Sequence, residues 1–155
     1  MKLADFIVTE AIIPQLKNAS RDEVIRELVE SLANAKAIAK ADVDEVIDAI
    51  IAREKKGSTG FGKGVAVPHV KLAKIKKRVS VIGCSAGGVD FSALDKQPVY
   101  SIFLLLSPEN EPDGHLQAME NIFNHLNQDK FRRFLRQATT QAAVVDLIQE
   151  ADAAR

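Results

Sequence analysis

Apolar positions recur along this chain at two different intervals, and the change of interval divides it into a helical first third, an extended middle and a helical end. Val24, Ile25, Leu28, Val29 and Leu32 fall at helical spacing after Ser20, which forms a capping-box pattern with Glu23, so a helix is predicted from that point. Asp42 and Glu45 repeat the device ahead of Val43, Val46, Ile47, Ile50 and Ile51. They predict a second helix that ends near Lys55 to Gly57, where glycine first appears. The middle is different. VSVIGCSA over 79–86 and VYSIFLLLS over 99–107 are short runs of branched and aromatic residues bounded by Gly87, Gly88, Pro98 and Pro108, the mark of buried strands. From Glu111 the helical interval returns, with Leu116, Met119, Ile122, Phe123 and Leu126 on one stripe, and two shorter helical stretches follow over 131–136 and 141–150. Helices at both ends of a few central strands predict an α/β sandwich with a mixed sheet.

Composition narrows the function classes. With 155 residues and no repeat, low-complexity tract or long linker, the chain reads as one domain over 1–155. Its 21 basic and 21 acidic side chains cancel, which argues against nucleic acid as the main partner. The opening MKLADFIVTEAIIPQ mixes acidic with apolar residues rather than running from basic to apolar, and no stretch is apolar enough to span a bilayer. The expected compartment is therefore cytoplasmic, without membrane insertion. Cys84 is the single cysteine, so an internal disulfide is excluded, and its strand setting predicts a small core side chain.

Candidate chemistry gathers between the second helix and the first strand. Residues Gly57 to Lys63 satisfy G-x-x-x-x-G-K, the start of a nucleotide-binding P-loop, but Gly64 stands where that loop needs a hydroxyl for magnesium. The context is also reversed, since this loop leaves a helix and enters a strand. Glycine permits positive φ, so Gly57, Gly60, Gly62 and Gly64 either make tight turns or turn backbone N–H groups toward an anion. His69 follows directly, behind Pro68, which places its ring near a strand end. Taking Met119 as the centre of the apolar stripe at about 100° per residue, His115 lies about 40° away and faces the protein. His125 lies about 120° away and is expected to face water. No HxxxH pair, CxxC or carboxylate cluster accompanies these histidines, so neither a metal nor another cofactor is expected, and no G-x-S-x-G elbow supports a serine nucleophile. Lys71, Lys74, Lys76, Lys77 and Arg78 form a basic run that reads as a solvated loop, or alternatively as a docking strip for an acidic partner.

REKKGSTGFGKGVAVPH, Arg53 to His69, resembles the signature of EIIA proteins of the phosphotransferase system, fructose/mannitol type. FSALDKQPVYSIFLLLSP over 91–108 is similar to that family's middle segment, and DGHLQAM over 113–119 to its second-histidine helix. The resemblance implies a three-layer α/β/α sandwich and a phosphoryl carrier, with His69 as phosphoryl acceptor, His115 stabilising the phosphoryl group and Arg53 contacting it. It also implies a donor of the HPr or NPr kind, and an EIIB or a regulatory target protein as the next partner. The local text looks most like the nitrogen-regulatory branch. A sugar-specific EIIA for fructose or mannitol is the alternative, and a regulatory or anion-binding module in which His69 is never phosphorylated is a second. Two positions depart from the usual pattern: Val70 replaces a glycine common after the histidine, and Phe61 a smaller aliphatic residue.

Overall fold

The computed structural model describes residues 1–154. Helices α1 (Arg21–Asn34) and α2 (Val43–Lys56) precede the strands β1 (Val65–Ala66), β2 (His69–Leu72), β3 (Val79–Val89) and β4 (Val99–Pro108), and α3 (Pro112–Leu126), α4 (Asp129–Gln137) and α5 (Gln141–Ala153) follow. The sheet is mixed. β4 is its centre, antiparallel to β3 and parallel to both β1 and β2. Val65 pairs with Ser101 and His69 with Leu105, one unbroken offset, so β1 and β2 are a single line of chain interrupted at Pro68. Proline cannot donate to the ladder, which accounts for the interruption, while its carbonyl still accepts from the Leu105 N–H.

β4 reads as a continuous apolar run because both of its faces are covered. Ile102, Leu104 and Leu106 pack with Val24, Leu28, Ile47 and Ile50 of α1 and α2. Phe103 and Leu105 pack on the other side with Ala118, Ile122, Phe131, Val144 and Ile148 of α3 to α5. This is the expected α/β/α sandwich. The N-terminal segment runs along the outer edge of β3, with the Val8, Ile13 and Leu16 N–H groups donating to Ser80, Ile82 and Cys84, and so covers an edge that would otherwise be open to another chain. Its start is pinned by Asp152 of α5, whose buried carboxylate accepts from the Leu3 and Ala4 N–H groups.

Three local expectations are corrected. The Ser20 hydroxyl donates to the Glu23 carboxylate rather than accepting a helix N–H, and Asp42 makes no cap bond, its carboxylate lying 3.7 Å from Lys74 Nζ. The stripe on α3 is rotated from the predicted one: Leu116 is 60% exposed, and the buried face is His115, Ala118, Asn121, Ile122, His125 and Leu126. His125 therefore does not face water; it is 6% exposed, packs on Phe131 and donates from Nδ1 to the Asn121 carbonyl. The apolar count alone missed this because two polar residues, Asn121 and His125, satisfy their hydrogen bonds inside.

Candidate functional site

Alternation along the strands decides which side chains meet. Val65 and Val67 point into the core shared with α3 to α5, whereas Val70 and Leu72 pack on the α1 and α2 side. His69 shares the parity of the first pair and so faces α3. The first turns of α3 bring His115 to it, with ring centroids 5.5 Å apart and planes tilted by 44°. The two histidines singled out from the sequence thus form one site, at the start of β2 and the start of α3.

The hydrogen bond of His69 settles its tautomer. Nδ1 lies 2.7 Å from the Val67 carbonyl, which can only accept, so Nδ1 carries the proton and Nε2 keeps the lone pair. Burial lowers the His69 pKa below the ordinary histidine value, with the charges of Arg53 and Lys71 acting in the same direction and the Val67 bond and Glu54 opposing. At neutral pH the ring is neutral and nucleophilic. His115, 8% exposed, bonds through Nδ1 to the Ser107 hydroxyl at 2.7 Å. Burial, followed by the charges of His69, Lys71 and Arg78, pushes its pKa down to about 4.

A group that protonates at about 4 in the folded chain and near 6.5 when unfolded leaves the unfolded state holding the extra proton between those values. Stability is expected to be full above pH 6.5 and to fall as pH drops toward 4, seen as a lower urea midpoint. His115→Gln should flatten that window. An equal pH slope in the two proteins would show that the burial of this ring is not its source.

The glycine-rich loop is held differently from the anion nest that its sequence allows. Gly62 (φ 115°), Lys63 (φ 61°) and Gly64 (φ 74°) form one tight turn, whose Gly64 carbonyl accepts from the Tyr100 and Ser101 N–H groups. A Cβ at Gly64 would come within 3.1 Å of the Tyr100 ring. That turn sits four residues along β4 from the His69 level, about 13 Å at strand rise. Nearer the histidine, the Thr59 carbonyl accepts from the Val67 N–H. The Thr59 and Gly60 N–H groups are already given to Glu54 and to the Ser58 hydroxyl, so these two amides are not turned toward an anion.

Arg53, in the last turn of α2, donates from Nη1 to the Gly57 carbonyl at 2.8 Å and is near enough for its charge to act on His69. The basic run divides. Lys74 reaches Asp42 and Glu45, while Arg78 is drawn inward onto Ser107 and Glu111. Phe61 packs against Phe123 with ring centroids 4.9 Å apart and planes tilted by 57°, and with Met119 they form a half-buried apolar surface on the α3 side. Cys84 is buried and its thiol is pushed up to about 12, an unreactive core side chain. Among the described residues no group of three or more His, Cys, Asp or Glu is placed to hold a metal ion, and no helix is long and apolar enough to cross a membrane.

Sequence reasoning missed three residues here. Glu54 holds Thr59 through both its N–H and its hydroxyl, Ser107 touches His115, and Arg78 touches Ser107. Glu54 was legible in principle as a carboxylate at a buried position of α2, and Ser107 as a polar residue closing the row of Phe103 and Leu105.

The fold and site define an α/β/α domain with a mixed sheet between two helical layers and two facing histidines, one at a strand end and one on a helix. The chain belongs to the family described as "Phosphoenolpyruvate-dependent sugar phosphotransferase system, EIIA 2", which matches residues 5–151. A nitrogen regulatory protein of Bradyrhizobium diazoefficiens is 33% identical over 148 residues, spanning 96% of this chain and 95% of that relative. The fructose-specific EIIABC component of Bacillus subtilis is 30% identical over 152 residues, but the chain spans only 24% of its length. The crystal structure of nitrogen regulatory protein IIA-Ntr from Neisseria meningitidis superposes with a TM-score of 0.83 at 29% identity, covering 94% of this chain and 98% of the other.

Proposed function

We propose that the whole chain works as one cytosolic EIIA unit that takes a phosphoryl group from a phosphohistidine carrier of the HPr or NPr kind onto His69 Nε2. The observation that carries the reading is the bond from His69 Nδ1 to the Val67 carbonyl, which leaves Nε2 unprotonated beside His115. In the transfer the Nε2 lone pair attacks phosphorus, the P–N bond of the donor breaks, and its electron pair returns to the donor imidazole. The proton stays on Nδ1, donated to the Val67 carbonyl, and His115 hydrogen-bonds the phosphoryl oxygens. Arg53 supplies a positive charge at the rim. The half-buried Phe61, Met119 and Phe123, with exposed Leu116 beside His115, form the apolar face against which a partner excludes water.

End-to-end likeness to the nitrogen regulatory protein of Bradyrhizobium diazoefficiens supports a regulatory role, in which phosphorylation state changes what the protein binds. Likeness to the fructose-specific component supports the second reading, delivery to an EIIB. Incubation with a phosphorylated HPr-like carrier should raise the intact mass by one phosphoryl group, in a linkage labile to acid and stable to base. An unchanged mass sinks the carrier reading. Onward transfer to an EIIB fragment favours sugar delivery, and its absence with retained uptake favours regulation.

A further inference from the structure

We propose that Arg78 and Ser107 form a relay that places the single ring proton of His115 on Nε2, making that ring a donor where His69 is an acceptor; the functional consequence rests on the carrier reading above. Ser107 is fully buried and continues the row of Phe103 and Leu105 on the face of β4 that looks toward α3. Its hydroxyl has two partners among the described residues. Arg78 Nε lies 3.2 Å from Oγ and, being a guanidinium nitrogen, can only donate. His115 Nδ1 lies 2.7 Å from the same oxygen. With one lone pair of Oγ taken by Arg78, the hydroxyl proton has Nδ1 as its acceptor; in the reverse arrangement that proton would be buried with nowhere to go. The direction of donation is therefore Arg78 to Ser107 to His115, and the proton of the ring sits on Nε2.

Arg78 is itself held in one place. Its side chain is 12% exposed, and its Nη2 donates to the Glu111 carbonyl at 3.3 Å and to the Glu111 carboxylate at 3.2 Å. The guanidinium fills the space that a Cβ would occupy at Gly114, the residue directly before His115. Glycine at that point is what lets the arginine lie across the first turn of α3. A cation near a helix N-terminus is unfavourable, so its burial here calls for a local gain, and Glu111 with Ser107 supplies it. The two rings of the site thus have opposite tautomers, one forced by a carbonyl and the other by a hydroxyl. A phosphoryl group on His69 Nε2 then meets an N–H on His115, where the other tautomer would present a lone pair to anionic oxygens.

Nitrogen-15 NMR of the imidazoles in the full chain at neutral pH reads this directly and without any phosphoryl donor. His69 should appear with its proton on Nδ1 and His115 with its proton on Nε2. Ser107→Ala, which removes only the hydroxyl, should turn the His115 signals into a mixture of tautomers while leaving His69 unchanged. Arg78→Met, which removes the donors but keeps the length, should do the same in part. In single-turnover transfer both variants should be slower by about tenfold or more with donor affinity unchanged, and Ser107→Thr should recover most of the rate. A His115 proton on Nδ1 in the native protein, or an unchanged tautomer in Ser107→Ala, overturns the relay. Failure of the native protein to take a phosphoryl group overturns the carrier reading instead, and the tautomer spectra still decide the relay.

Discussion

Replacing His69 with alanine is expected to abolish phosphoryl uptake from an HPr-like carrier while leaving the chain folded. The ring is only half-buried at the start of β2, and among the described residues its one hydrogen bond is to the Val67 carbonyl. Losing that bond costs about 1 kcal/mol, well inside the stability of an ordinary domain. No other histidine can take over. His115 has its pKa pushed down to about 4, which makes it a weaker base and nucleophile, and its Nδ1 is engaged by Ser107. His125 is buried and bonded to Asn121. Intact mass after exposure to the phosphorylated carrier, with circular dichroism as the check on folding, separates the outcomes. A full phosphoryl gain in folded His69→Ala would falsify the assignment of the acceptor. The companion His115→Ala should keep the acceptor and lose a hydrogen-bond donor, slowing transfer by roughly a hundredfold or more.

The second large effect is expected at Glu54, a buried carboxylate in the last turn of α2. Its side chain is 2% exposed, yet it is a carboxylate, and it remains inside because it accepts from the Thr59 N–H at 3.1 Å and from the Thr59 hydroxyl at 2.5 Å. Glu54→Ala leaves both donors buried without a partner, for a loss of roughly 2–4 kcal/mol of stability in urea denaturation. The exposed Glu45, which pairs with Lys74 at 3.2 Å, gives the contrast: Glu45→Ala should cost less than about 1 kcal/mol. The loss at Glu54 has a route to function. Thr59 holds the Val67 N–H through its carbonyl, and Val67 in turn sets the tautomer of His69. Glu54→Ala should therefore slow phosphoryl uptake as well as destabilise the fold. Equal midpoints for Glu54→Ala and Glu45→Ala would show that the buried carboxylate does not anchor the loop.

Periodicity and punctuation were enough to locate α1, α2, the two long strands and the three C-terminal helices, because each buries a face whose spacing is written in consecutive residues. They were also enough to single out His69, which ends a glycine-rich loop behind a proline, and to turn His115 inward. The near-match to a P-loop was rejected from sequence, and the observed order of helix, loop and strand agrees with that rejection. The rest depended on residues far apart in the chain. The apolar stripe turns His125 to water because it counts side chains by type, whereas burial of a polar ring depends on a carbonyl one turn away and on Phe131 of the next helix. The glycine loop kept two readings open until the partners of Thr59 and Gly60 were known. Arg78 read as the end of a solvated basic run; only packing shows it folded over Gly114 and onto Ser107.

The sequence by itself determined the layers of this protein and the identity of its two central histidines, since alternation in strands and the helical stripe are local properties of the chain. Tertiary structure alone decided which atom of each ring is free, because a tautomer is set by whatever acceptor or donor the fold places against the other nitrogen. For His69 that group is a carbonyl two residues away, and for His115 it is a hydroxyl on a different element.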